Sequence, residues 1–186
     1  MTFTSVISSP SFRFGTKAGT LDHLSKIVTR AILCDQFFTT VRQWNQTPSH
    51  VLETIVDRFA PARVAVRSSS QNEDTYGVSN AGAFESVTNV PCSTTSLADA
   101  IETVIASYGK ASDDDEVLIQ PMVEGVALSG VVFTRDLDTG APYYVINYDD
   151  LSGRTDTVTG GAISKTVAVH RANQGALHSP RMRKLI

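Results

Sequence analysis

The sequence predicts a mixed α+β fold with a largely antiparallel sheet and flanking helices. Helical and strand patterns follow the order α-β-α-β-β-α, and three strand patterns then follow without a helix between them. The turn sequence Asp138-Thr-Gly-Ala separates the last two of these strands and favours a hairpin. This order argues against a doubly wound parallel sheet, which needs a helix between successive strands.

The first half of the chain carries two helical patterns separated by a strand pattern. Residues 1–13 are polar and unpatterned, so we expect a loose lead-in there. A helix is predicted from Thr16, with Lys17 in its first turn, and a strand follows over 34–41. A second helix is predicted to begin at Pro48. The apolar residues expected to face the core from these helices are Ala18, Leu21, Leu24, Ile27, Val28, Val51, Ile55, Val56 and Phe59.

The second half is richer in strand patterns. Alternation over 84–90 predicts a half-buried strand with every second residue from Phe84 on one face. The clearest helix is predicted to begin at Ser96 and to stop at Gly109. We interpret the acidic run 113–116 as a solvated turn rather than a metal site. Further strands are predicted over 117–120, 126–134, 142–148 and 167–169, and a helix is expected to start after Ser179.

Composition and charge argue against several function classes. The 186 residues carry a formal net charge of −3, and only the tail 181–184 is locally basic, which argues against nucleic-acid binding and a membrane-surface patch. Cys34 and Cys92 lack CxxC spacing, so neither a disulfide framework nor a zinc site is predicted. We find no basic leader and no apolar stretch of about 20 residues, and we expect a cytoplasmic protein.

The most informative segment is 64–67, a short β pattern that ends in an arginine. We expect it to deliver Arg67 and the serines after it to the carboxyl edge of a sheet, where ligands commonly bind. Arginine offers a planar fork of donors to phosphate oxygens, and the small residues 79–82 can close their backbone N–H groups over an anion. This layout favours phosphate binding, and a structural ion pair is the alternative role for the arginine.

Five blocks of the chain, in order, resemble the N-terminal nucleotide-binding domain of the phosphoenolpyruvate synthase and pyruvate phosphate dikinase family. They are Phe14-Gly-Thr-Lys-Ala-Gly-Thr-Leu, Val66-Arg-Ser-Ser, Ser79-Asn-Ala-Gly-Ala-Phe-Glu-Ser, Val117-Leu-Ile-Gln-Pro-Met-Val and Ser129-Gly-Val-Val-Phe-Thr-Arg-Asp. The resemblance implies an ATP-grasp fold over 14–186, with lobes at about 14–115 and 116–186. It agrees with the lack of a Walker motif, which ATP-grasp proteins do not need.

The resemblance also implies roles for individual residues. Lys17 and Arg67 would be the catalytic residues, because they would hold the phosphates. The loop around Gly82 would close over the triphosphate, and the backbone of 120–123 would hold adenine. The residues assigned in this way to ATP binding are Lys17, Arg67, Ser68, Ala81, Gly82, Gln120, Met122, Val123 and Arg135. The alternative roles are core packing for Met122, and a salt bridge to Asp136 or Asp138 for Arg135.

In proteins of this family, phosphate passes from ATP to a mobile phosphohistidine domain and then to a small acceptor. The chain departs from the family pattern at Leu137, where proline is usual, and over 147–161, so the acceptor stays open. The family's metal-binding acidic pair and the phosphohistidine domain have no counterpart in this sequence. We therefore expect the ligands of Mg²⁺ outside this chain, and we expect the chain alone to bind ATP weakly without turnover.

The resemblance thus predicts the ATP-binding part of a phosphotransferase. Two other functions stay open. The segment 143–150 resembles a branch of the family that phosphorylates an amide, such as a glutamine kinase of capsule modification. The other remaining function is that of a non-catalytic nucleotide-binding module.

Overall fold

The chain folds as a mixed α+β protein, as the sequence predicts. The computed structural model describes residues 15–70, 74–75, 78–79, 84–161, 165–176 and 180–183. The chain divides into two compact units, Met1–Met122 and Val123–Ile186. Strands pair antiparallel in both units. The lobe boundary expected at about residue 115 precedes this division by one strand, 116–121.

The first unit combines helices and strands, whereas the second unit is mainly strands. The first unit contains α1 (Lys17–Ser25), β1 (Phe37–Thr40), α2 (Val41–Gln46), α3 (Pro48–Phe59), β2 (Arg63–Ser69), β3 (Asp74–Thr75), β4 (Val78–Ser79), β5 (Ser86–Pro91), α4 (Thr94–Ser107) and β6 (Glu116–Pro121). The second contains β7 (Ser129–Phe133), β8 (Tyr143–Asp149), β9 (Lys165–His170), a 3-10 segment (Arg171–Ala176) and α5 (Pro180–Arg183). Among the helices in these ranges, none has the length and apolar character needed to cross a membrane.

The first unit is built on a sheet with strand order β1-β6-β2-β5. Helices α3 and α4 pack their apolar stripes on one face of it, and this is where the larger core lies. The stripe predicted for α3 is largely confirmed, because every residue of it except the half-buried Val56 is buried. The core residues are Trp44, Val51, Ile55, Phe59, Val64, Val66, Val90, Leu97, Ala100, Ile101, Val104, Val117 and Ile119.

Helix α1 forms where predicted but buries little of its apolar face. Thr16 caps it by accepting a hydrogen bond from the Gly19 amide, and only Ala18 is buried. Ile27 lies beyond the helix and is 55% exposed, so its predicted place in the core is wrong. The predicted stripe extends too far, because α1 ends at Ser25 and Val28 also lies beyond it.

Strand β5 does not keep the alternation that the sequence predicts over 84–90. Between the pairs Val66–Val87 and Val64–Val90, β5 contains one more residue than β2. This bulge places Asn89 at φ 61° and shifts the alternation by one residue. Val87 and Val90 therefore face the core, and Thr88 is exposed.

Helix α4 begins earlier than predicted. Ser93, not Ser96, is the N-cap, and its hydroxyl accepts from the Ser96 amide. The predicted end is confirmed, because Gly109 follows the helix at φ +67°, a conformation that favours glycine.

Replacing this cap is expected to destabilise the first unit. Ser93→Ala removes an acceptor from the first turn of α4 and should lower the free energy of unfolding by about 1 kcal/mol. Ser96→Ala, the matched control three residues later, should cost less, because it keeps the backbone amide that donates to Ser93 and loses only an exposed bond between the two hydroxyls. Urea unfolding followed by Trp44 fluorescence checks this, and equal losses for the two variants would contradict it.

The second unit is a sheet with strand order β7-β8-β9. The predicted β7–β8 hairpin is confirmed, since the two strands pair antiparallel and Gly140 adopts φ +68° in the turn. Asp136 orders this turn by accepting hydrogen bonds from Thr139, and these bonds lower the pKa of its carboxyl. Ile146 and Met182 form the buried core, so the predicted tail helix contributes a core residue.

Candidate functional site

The predicted phosphate-binding segment lies at the end of β2 and partly inside it. The strand continues to Ser69, and the side chains of Ser68, Ser69 and Ser70 are buried. The sequence predicts that a loop opens directly after Arg67, and this is wrong, because Ser68 and Ser69 belong to the strand. Ser68 is 1% exposed, and its backbone carbonyl accepts a hydrogen bond from another element.

Lys17 meets the end of β2 from the first turn of α1. Its Nζ donates to the backbone carbonyl of Ser68 at 3.1 Å, across 51 residues of sequence. One residue further along, the Ala18 amide donates to Ser69 Oγ at 2.9 Å. The structure thus brings together the two segments that the sequence assigns to phosphate binding.

The Arg67 side chain lies on the face of the sheet opposite the core. Val64 and Val66 belong to the core, and alternate residues of a strand point to opposite faces. Arg67 is exposed, and it forms no ion pair with any carboxylate in the part of the chain that the structure describes. Among those residues, the alternative role in a structural ion pair has no support.

The residues predicted to hold adenine lie at the other end of the same sheet. Gln120 is opposite Ala65 in the β2–β6 ladder, and Leu118 is opposite Arg67, so Gln120 shares the Arg67 face. Met122 follows β6, and its amide donates to the Arg63 carbonyl at 2.8 Å. Met122 is half-buried and lies outside the larger core, and Val123 is 52% exposed.

A partly buried polar network around Ser69 was not predicted. Ser69 Oγ donates to Glu116 Oε2 at 3.2 Å. The Ser69 amide donates to the Tyr108 hydroxyl at 3.2 Å, and that hydroxyl donates to the Glu116 carbonyl. The run of serines after Arg67 was the signal in the sequence that could have indicated this network. We expected these serines at a ligand-binding edge and not in contact with neighbouring elements.

The acidic run 113–116 is a solvated turn only in its first half. Asp113 and Asp114 are exposed and lie beside Arg42. Asp115 is 5% exposed, and its carboxylate accepts from Ser70 Oγ at 2.7 Å and from a backbone amide. The interpretation as a solvated turn is therefore wrong for Asp115, which is buried because two donors satisfy its oxygens.

The other predicted site residues fall outside this group. Ala81 and Gly82 lie outside the residues described. Arg135 lies in the second unit and donates to the Gly140 carbonyl at 3.1 Å within the β7–β8 turn. No salt bridge joins Arg135 to Asp136 or Asp138, although all three residues are among those described.

Asp149 orders the segment that departs from the family pattern. It is 3% exposed, and its oxygens accept from the amides of Leu151 and Ser152 and from the hydroxyls of Ser152 and Thr157. These donors, the Ser152 hydroxyl first, hold the pKa of its carboxyl far below the usual range. Within the described ranges, no group of three or more His, Cys, Asp and Glu side chains could hold a metal ion.

A cavity of about 600 Å³ lies between α1 and the segment that leads into β1. Arg58 and Asp35 pair at this cavity, and the guanidinium lowers the pKa of the Asp35 carboxyl. None of the predicted ATP-binding residues lines it. The lining residues are Leu21, Asp22, Ser25, Leu33, Cys34, Asp35, Gln36, Phe37, Phe38 and Arg58.

Comparison with known proteins assigns neither a family nor a function to this chain. No protein-family model matches this chain, and no curated protein matches it at a significant level of similarity. The functional argument therefore depends on the geometry around Lys17 and Arg67.

Proposed function

We propose that this chain is the ATP-binding part of a phosphotransferase with an ATP-grasp-like fold. In this proposal, phosphate passes from ATP to the phosphohistidine domain of a longer polypeptide and then to a small acceptor. The observation that carries the proposal is the contact between Lys17 Nζ and the Ser68 carbonyl, 3.1 Å apart. This contact places the Lys17 ammonium beside Ser68, the residue that follows the exposed Arg67.

The two cations suit the binding of a polyphosphate. Lysine is a compact point charge, whereas arginine presents a planar fork that matches two phosphate oxygens. Lys17 is half-buried, which weakens solvent screening of its charge, and Arg67 is exposed. Together they would bind the phosphates and orient the terminal group for transfer.

The length of the sheet face suits the rest of the nucleotide. Arg67 and Ala65, which lie opposite Leu118 and Gln120 in the β2–β6 ladder, are two residues apart along β2. Adenine beside Gln120 and phosphate beside Arg67 would therefore be about 7 Å apart along this pair of strands, which leaves room for the ribose between them.

These contacts act on the nucleotide and not on the acceptor. They support a phosphotransferase that resembles phosphoenolpyruvate synthase, and they would serve an amide kinase equally well. When bound, Mg-ATP supplies the phosphoryl group. The residues of this chain bind it, orient it and offset its charge.

Arg67→Ala is expected to weaken Mg-ATP binding without destabilising the fold. Hydrogen bonds between charged groups contribute about 1.5–3 kcal/mol, so Kd should rise about 10- to 100-fold. The exposed side chain leaves no cavity, so Tm should stay unchanged. Isothermal titration calorimetry and thermal unfolding measure the two effects.

Arg63→Ala is the matched control, because Arg63 lies on the same strand and the same face, four residues before Arg67. Its guanidinium is bonded to the Asn89 carbonyl, and its loss should leave Kd within about twofold of the wild-type value. A wild-type protein that does not bind Mg-ATP would refute the proposal. So would an Arg67→Ala variant with lowered Tm and unchanged Kd.

A further inference from the structure

Ser69 joins the first turn of α1 to the end of β2. Its Oγ accepts from the Ala18 amide at 2.9 Å, and Ala18 and Ser69 are both 0% exposed. Ala18 is the second residue of α1, where a backbone amide has no acceptor within the helix. The Ser69 hydroxyl supplies that acceptor from another element, 51 residues away.

The Ser69 hydroxyl is itself fixed in direction. It donates its single hydrogen to Glu116 Oε2 at 3.2 Å, which leaves a lone pair for the Ala18 amide. The Ser69 amide is bonded to Tyr108, whose hydroxyl donates to the Glu116 carbonyl. Glu116 of β6 therefore orients the Ser69 hydroxyl, and Tyr108, the C-cap residue of α4, holds the backbone that carries it.

The bond between Ala18 and Ser69 also affects Lys17, the residue before Ala18. Lys17 and Ala18 are consecutive in α1, and they bond Ser68 and Ser69, which are consecutive in β2. The Ala18–Ser69 bond holds the two backbones together at the point where the Lys17 side chain crosses to the Ser68 carbonyl. A lysine side chain is flexible, so a fixed backbone limits the positions that its ammonium can reach.

We infer that Ser69 is a positioning residue for the Lys17 ammonium in phosphate binding. The inference rests on the proposed function. Ser69 acts through Lys17 and does not touch the nucleotide. Its loss therefore weakens the binding of ATP and leaves the binding of adenosine, which has no phosphate, unchanged.

A double-mutant cycle on the full chain tests the inference. Lys17→Ala should raise Kd for Mg-ATP about 10- to 100-fold. Ser69→Ala should raise it about 10-fold, and the double variant should bind no more weakly than Lys17→Ala alone. Adenosine affinity should be the same in all four proteins.

Two results would overturn the inference. One is a Ser69→Ala variant with wild-type affinity beside a weakened Lys17→Ala variant. The other is a double variant whose loss equals the product of the two single losses, since Ser69 would then act independently of Lys17. A Lys17→Ala variant that binds Mg-ATP as tightly as the wild type would refute the proposed function itself, which keeps the two failures distinct.

Two controls separate positioning from folding. Ser70→Ala also removes a buried hydroxyl that donates to a carboxylate, Asp115. It should lower Tm about as much as Ser69→Ala without the same loss of ATP affinity. If Ser69→Ala does not fold, Ser69→Thr and Ser69→Val have the same shape and differ only in the hydroxyl. The inference then requires tighter ATP binding by Ser69→Thr, and equal affinities would overturn it.

Discussion

Gly130→Ala is expected to disrupt the pairing of β7 with β8 and to destabilise the second unit. A Cβ at Gly130 would lie 2.2 Å from the Asn147 carbonyl oxygen and 3.0 Å from Tyr148 Cα. Both are backbone atoms of the paired strand, so no side chain can rotate to make room. Because overpacking typically costs up to about 3 kcal/mol, we expect a loss of about that size. Amide hydrogen exchange of β8 measures it directly.

Gly175→Ala is the matched control in the same unit. A Cβ at Gly175 would meet no atom within 4 Å, and this glycine is not in the left-handed region. The change should leave stability unchanged or raise it slightly, because alanine restricts the unfolded chain. Equal protection of the β8 amides in Gly130→Ala and Gly175→Ala would show that β7 can move away from β8 at no cost.

The elements that the sequence predicted well are those with local signals. Pro48 begins α3 and Gly109 follows α4, because each residue has a backbone preference that depends little on its surroundings. The β7–β8 hairpin was also predictable from its turn sequence. In these cases the decisive interaction lies within a few residues of the signal.

The wrong predictions depended on distant partners. The bulge at Asn89 exists because β5 pairs with β2 in a shifted register, which the alternation of β5 alone does not show. Ile27 has the right spacing for an apolar stripe, but α1 ends at Ser25, and none of its residues belongs to the larger core. Burial of an amphipathic face requires a partner, and the partner is chosen by the tertiary fold.

The candidate site was predictable only in part for the same reason. Lys17 and Arg67 stand out because cations beside small residues are typical of phosphate binding. Ser69 has the same appearance in the sequence, but its hydroxyl is used by α1 and β6. Whether a hydroxyl serves a ligand or a neighbouring helix depends on where that helix docks, which the local sequence does not state.

Asp149→Ala is expected to release the segment 150–161 from β8. The change removes the acceptor of two backbone amides and two hydroxyls, and the Thr157 hydroxyl among them is buried. Donors left without a partner in a buried site are costly. Hydrogen exchange should therefore speed up at Leu151 and Ser152. Asp150→Asn is the control, because Asp150 forms only a partly exposed ion pair with Lys165 and should change little.

The charge of Asp149 can be tested separately with Asp149→Asn, which keeps the shape of the side chain. Its donors lower the pKa of the carboxyl in the folded state, so the unfolded state binds the proton more readily. The stability that ionised Asp149 contributes is therefore fully present above the unfolded pKa of about 4. It is lost as the pH falls further, through the folded pKa. The Tm of the wild type should exceed that of Asp149→Asn at neutral pH, and the difference should shrink on acidification below about pH 4. A difference that stays constant down to the acid limit of folding would contradict this, because the loss in Asp149→Asn would then come from its NH2 group, which cannot accept hydrogen bonds, and not from the missing charge.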